Sequence, residues 1–66
     1  MNEIYVSFSD SDGDHYVVPL RYLYVQIVDG ECQAGQSIGS DAVDIDEDTY
    51  KSLLSVIKQH YTVISV

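Results

Sequence analysis

Carboxylates are the side chains with most chemistry to offer in this chain, and they arrive in runs. Asp10, Asp12 and Asp14 alternate through Asp10-Ser11-Asp12-Gly13-Asp14, and Asp41, Asp44, Asp46, Glu47 and Asp48 form a second group. Alternating aspartates resemble the opening of a calcium loop, in which oxygens at the first, third and fifth positions converge on the ion. The pattern then departs from that loop, because the glycine position holds His15 and the closing glutamate position holds Arg21. Three readings stay open for this segment: a solvated hairpin turn, a calcium loop, and an acidic tip that faces a partner. No bound metal and no cofactor are expected.

His15, His60 and Cys32 are the other candidates for chemistry. A Cys-His pair can form in space, but no neighbouring residue marks Cys32 as an activated thiol. Cys32 reads as a small residue on a half-buried strand, and His60 as a partner of a helix C-terminus. The chain has no phosphate-cradling glycine loop and no zinc signature. Paired carboxylates are capable of acid–base work, yet 66 residues are few from which to wall off a dry pocket. The expectation is a protein that is not an enzyme.

Eleven acids against three bases give a formal net charge of −8. Acidic chains are often disordered, but 45% hydrophobic content and six tyrosines point to a folded one. A single domain is expected, with a core made marginal by its size. Cys32 is the only cysteine, so no internal disulfide forms and a reducing, intracellular setting suits the chain. Met-Asn-Glu-Ile-Tyr-Val is neither basic nor long and apolar, so no signal peptide and a soluble protein are expected. The field of such a chain draws cationic surfaces and repels nucleic acid and anionic membranes. Acidity that serves solubility alone is the competing explanation.

The elements that must position these groups can be read in order. Ile4, Val6 and Phe8 alternate with Tyr5, Ser7 and Ser9, which predicts a strand over Glu3 to Ser9. His15 to Val18 resumes strand character, so residues 3 to 18 read as an antiparallel hairpin that Pro19 ends. Leu20 to Val28 fits either a helix face or a strand, and Asp29-Gly30 favours the strand through a two-residue turn. Glu31 to Ala34 then pairs back, Gly35 to Ser40 reads as a loop, and Ala42 to Ile45 as a short strand.

Tyr50, Leu53, Leu54, Ile57 and Tyr61 share one face at 3.6 residues per turn and predict a helix over about residues 47–60. Asp46 stands where an N-cap belongs, with Glu47 and Asp48 in the positive first turn. Thr62 to Val66 is rich in β-branched residues and reads as a last strand. The sum is an α+β fold: a small, mostly antiparallel sheet with one amphipathic helix packed on it.

Six tyrosines exceed what so small a core can hold. Tyr50 and Tyr61 belong to the helix face, so some of Tyr5, Tyr16, Tyr22 and Tyr24 must be partly exposed. Exposed tyrosine beside carboxylate offers ring contact and charge-assisted hydrogen bonds to arginine and lysine.

A very short, strongly acidic, single-domain chain without an enzyme signature resembles the small phage-encoded anti-CRISPR proteins, in particular inhibitors of type I-C systems. The resemblance spans the chain as a type and rests on no shared motif, so no residue role is carried over. It implies a DNA mimic, cytoplasmic in an infected bacterial host, that docks on the crRNA-guided surveillance complex (Cascade) and blocks target DNA binding. Such effectors hold nucleic acid in positively charged channels. Carboxylates at alternate strand positions lie about 6.6 Å apart and present charge somewhat as a phosphate backbone does. The expected contact residues are Asp10, Asp12, Asp14, Asp41, Asp44, Asp46, Glu47 and Asp48, with Tyr22 or Tyr24 as anchors. The expected partner is the basic surface of a type I CRISPR-Cas effector, approached by a monomer without direct nucleic-acid or membrane contact. The alternative is a structural or assembly module, with a homodimer as one form, whose acidity serves only solubility.

Overall fold

Two tight turns of different chemistry divide the strands into two antiparallel units. The computed structural model describes residues 3–39 and 41–64. Strands β1 (Tyr5–Ser9) and β2 (His15–Pro19) pair from Tyr5↔Pro19 to Ser9↔His15. Their alternation turns Val6, Phe8, Tyr16 and Val18 inward, and Phe8 stacks on Tyr16 across the ladder with ring centres 5.5 Å apart. Strands β3 (Leu23–Val28), β4 (Glu31–Gln36) and β5 (Val43–Asp44) form the second sheet in that order. Helix α1 (Glu47–Ile64) follows. The fold is α+β, as expected, with its strands divided between two sheets instead of one.

The ambiguous stretch after Pro19 satisfies both of its patterns in turn. Leu20–Tyr22 makes one 3-10 turn, and β3 begins at Leu23. Leu20 and Leu23 are both buried, so the helical spacing is real but lasts a single turn. Leu20 N donates to Ile4 O, which ties this corner to the start of β1. The β3–β4 turn at Asp29-Gly30 takes positive φ at both residues, 52° and 80°, as a type I′ hairpin requires.

Two expectations need correction. β4 runs past Ala34 to Gln36, so the loop expected from Gly35 starts instead at Ser37. Gly35 pairs with Tyr24, and a Cβ at Gly35 would lie 3.0 Å from Ala42 Cα and 3.1 Å from Tyr24 Oη. Glycine here serves close packing and not chain reversal. Gly35→Val should therefore lower stability by about 1–3 kcal/mol, through the same overpacking that any core enlargement causes. Urea unfolding checks this, and an unchanged midpoint would show that the strands have room to part.

The second correction concerns the C-terminal end. The strand expected over Thr62–Val66 is helix through Ile64, while Ser65 and Val66 lie outside the described residues. Neither glycine nor proline interrupts the chain after Gln59. Extending an existing helix adds a hydrogen bond for each residue fixed, which outweighs the small β-branched penalty of roughly half a kcal/mol per residue.

At its other end α1 starts as the sequence implies, with Thr49 N donating to Asp46 Oδ1 at 2.7 Å and Tyr50 N to Asp46 O at 3.0 Å. Leu53 is buried, and Tyr50, Val56 and Ile57 pack against the core beside it. Leu54 is half-buried, and the Tyr61 side chain lies outside what is described. Phe8, Val18, Leu20, Leu23, Ala34, Ile45 and Leu53 form the buried cluster between helix, hairpin and sheet.

Candidate partner-binding surface

Local chemistry shapes the first acidic loop. Asp10 Oδ1 accepts from the N–H groups of both Asp12 and Asp14 at 2.9 Å, and Tyr16 Oη donates to Asp10 Oδ2 at 3.0 Å. Desolvation pushes the Asp10 carboxyl up, but the Asp14 amide, the Tyr16 hydroxyl and the Asp12 and Gly13 amides outweigh it. The net effect holds Asp10 below its ordinary 3.8. Asp10 is thus the organiser of its own turn, and Asp12 and Asp14 remain exposed at the tip. Among the described residues no three metal-ligating side chains converge as a metal site would need.

A group whose folded pKa is depressed stabilises the fold above its unfolded value and loses that contribution as pH falls through the folded one. Asp10 therefore supports the hairpin at neutral pH, and that support fades as pH falls below the ordinary 3.8 and through the lower folded value. Acid also relieves the self-repulsion of a −8 chain, so the comparison must be made against a variant. Asp10→Ala should lower the thermal midpoint at neutral pH, and the difference from the parent should shrink on acidification. Equal midpoints across that range would contradict the assignment.

The tip does not stand alone. Ser11 N donates to Asp44 O at 2.8 Å, which lays the loop carrying Asp12 and Asp14 against β5. Asp41 lies just before that strand, and Asp46, Glu47 and Asp48 follow it into α1. On the other side of β5, Ile45 N donates to Cys32 O, so Glu31 and Asp46 are the next residues along their strands beyond that bond. The structure thus brings both sequence clusters together along one edge. Neither cluster contains lysine or arginine. Arg21 lies elsewhere, paired with Glu3 at 3.0 Å, and Lys51 and Lys58 are on the helix.

Tyr16 reports the field of this edge. The Asp10 hydrogen bond first, then desolvation, then the charges of Asp10, Asp14 and Asp12 hold its phenol above the ordinary 10.0. Asp12→Asn with Asp14→Asn should bring its titration, read by ultraviolet absorbance, back toward that value. Asp46 has a different office. The Thr49 hydroxyl and amide hold it below 3.8, so this carboxylate belongs to the helix cap first.

The outer face of the second sheet adds polar groups that sequence reasoning passed over. Val25 faces fully buried Ala34, so alternation sends Tyr24 and Gln26, with Gln33 and Asp44, to the opposite face. Gln26 Nε2 donates to Gln33 Oε1 at 2.8 Å, and Gln33 Nε2 to Asp44 Oδ1 at 3.1 Å. This ladder orients the Asp44 carboxylate from two strands away. A signal for it existed, because Gln26 and Gln33 are equidistant from Asp29-Gly30 and must pair in a two-residue hairpin.

The two anchor candidates part company. Tyr24 lies over Gly35 beside Ala42, next in sequence to Asp41, which places it with the acids. Tyr22 stacks under Arg21, whose guanidinium carbon is 4.9 Å from the ring centre, and lies at the far end of β3 from Asp29. Ser9 Oγ and His15 Nδ1, also unforeseen, lie 2.8 Å apart on the last pair of the β1–β2 ladder. Asp41 borders a cavity of about 80 Å³ between the hairpin and the sheet, with Phe8, Tyr16 and Gly35 on its walls.

No protein-family model, curated protein or solved structure matches this chain. No helix among the described residues is long and apolar enough to cross a membrane.

Proposed function

We propose that this protein is a stoichiometric inhibitor of the anti-CRISPR kind. It docks its β5 edge on the basic nucleic-acid-binding surface of a type I surveillance complex and excludes target DNA. The observation that supports this reading most is the Ser11–Asp44 hydrogen bond, which merges two acidic segments far apart in sequence into one surface. Asp12, Asp14, Asp41 and Asp44 carry the contact, with Tyr24 beside them as an aromatic anchor. Asp10 and Asp46 shape the surface more than they touch the partner, because their oxygens already serve backbone N–H groups. The action is binding, not catalysis, and takes place in the cytoplasm of the infected host.

A pull-down with tagged protein on purified type I-C effector, run at low and at high salt, tests the proposal. Retention at low salt and release at high salt are expected, since clustered surface charge is screened. Absence of retention at low salt would refute it.

A further inference from the structure

We infer that the free edge of β3 is a self-association surface, on which a second copy of this chain adds its own β3 antiparallel to make one six-stranded sheet. This inference is independent of the inhibitory reading. It starts from the sheet order, in which, among the described residues, β3 is paired with β4 on one side only. The two-residue turn sets Val28 against Glu31, and Gln26 and Tyr24 face Gln33 and Gly35 two and four residues further along. Ser37 N donating to Tyr22 O fixes the even-numbered residues as the ones bonded inward. Leu23, Val25 and Ile27 therefore turn their backbone groups to the open edge. Leu23 N–H is already used on Leu20 O.

Natural sheets blunt such an edge with lysine, proline, a bulge or a covering segment. Leu-Tyr-Val-Gln-Ile-Val has no lysine or proline, pairs without a bulge, and leaves Ile27 58% and Val28 43% exposed. An unguarded edge with apolar side chains beside it is suited to receive a strand.

Charge along the edge selects the occupant. Arg21, the only arginine of the chain, stands just before β3, and Asp29 stands just after it. A uniformly basic or acidic strand would meet like charge at one end. A second β3, run antiparallel about Val25, sets Leu23 level with Ile27 of the second copy and brings the Arg21 end of each copy to the Asp29 end of the other. The contact is isologous, each copy giving what it receives. It forms four backbone hydrogen bonds: two between the Val25 residues and one from each Ile27 N–H to the facing Leu23 carbonyl. Arg21 is half-committed to Glu3 and Tyr22, but its guanidinium has donors to spare.

The net charge of −8 on each copy opposes this pairing less than it first suggests. Eight of the eleven acids belong to the two clusters that meet at β5, at the other edge of the sheet. In the paired form the two β5 strands are five spacings apart, about 24 Å, which is roughly three screening lengths at physiological salt. The dimer would thus present an acidic edge at each end.

Sedimentation of the full chain across micromolar to millimolar concentration, with amide hydrogen exchange on the same samples, tests the inference. A monomer–dimer equilibrium is expected, with exchange at Val25 and Ile27 slowing as dimer accumulates. Ile27→Lys alters an exposed side chain and should weaken association by about tenfold or more while leaving the circular dichroism of the monomer unchanged. A chain that stays monomeric throughout, even one whose edge is covered by a strand of another protein, overturns the inference. So does a dimer whose Val25 and Ile27 amides exchange at a rate independent of concentration, because it would use another surface.

Discussion

Replacing Asp12, Asp14 and Asp44 together by lysine should abolish binding to the basic partner, weakening it by about a hundredfold or more. Each close ion pair in water is worth on the order of 1 kcal/mol, and reversal turns attraction into repulsion of similar size. Three such reversals on one surface amount to roughly 6 kcal/mol without screening, about four decades in affinity, which salt screening brings down toward a hundredfold. The effect should reside in the association rate and diminish with added salt. The variant should still fold, since all three side chains are exposed and the hydrogen bond between the loop and β5 uses backbone atoms. Reversal of Asp29, at the other turn, is the control and should cost much less. Surface plasmon resonance on an immobilised effector reads both, and equal losses in the two variants would dissolve the claim of a defined site.

Leu53→Ala should unfold most of the protein or bring it near its midpoint at room temperature. Leu53 is 3% exposed and is the helix residue within the buried cluster of the described residues. Truncating a buried leucine costs about 2–5 kcal/mol. A chain of this length holds roughly 3–10 kcal/mol in all. Helix α1 depends on that docking, because most helical stability in proteins comes from packing of an amphipathic face. Loss of the helical dichroism signal without denaturant is the expected readout. A variant that keeps a cooperative urea transition near the parent's would mean that Tyr50, Val56 and Ile57 suffice to seat the helix.

What the chain discloses in advance is what short-range chemistry decides. Asp29-Gly30 announces its hairpin because both residues tolerate positive φ, and Asp46 announces the helix start because its side chain reaches Thr49 N. The tail from Thr62 is misleading, since β-branched composition is a weak preference beside an established helix. Gly35 misleads in another way, being chosen for the ring of Tyr24 across the ladder and not for a turn. The candidate surface was legible as two lists of acids but not as one place. Its assembly depends on Ser11 meeting Asp44, a contact between residues 33 apart that no local pattern encodes. The separation of Tyr24 from Tyr22 likewise follows from strand register and from Arg21, not from spacing alone.

Competition for the effector tests the central claim most directly. With a fixed amount of guide-loaded type I complex, target duplex DNA is titrated against labelled protein, and the fraction bound is read by fluorescence anisotropy. A surface that stands in for a polynucleotide predicts mutual exclusion: DNA displaces the protein fully, and the protein's apparent Kd rises in proportion to free DNA. A ternary complex holding protein and target DNA together, with the affinity of each unchanged, would contradict it.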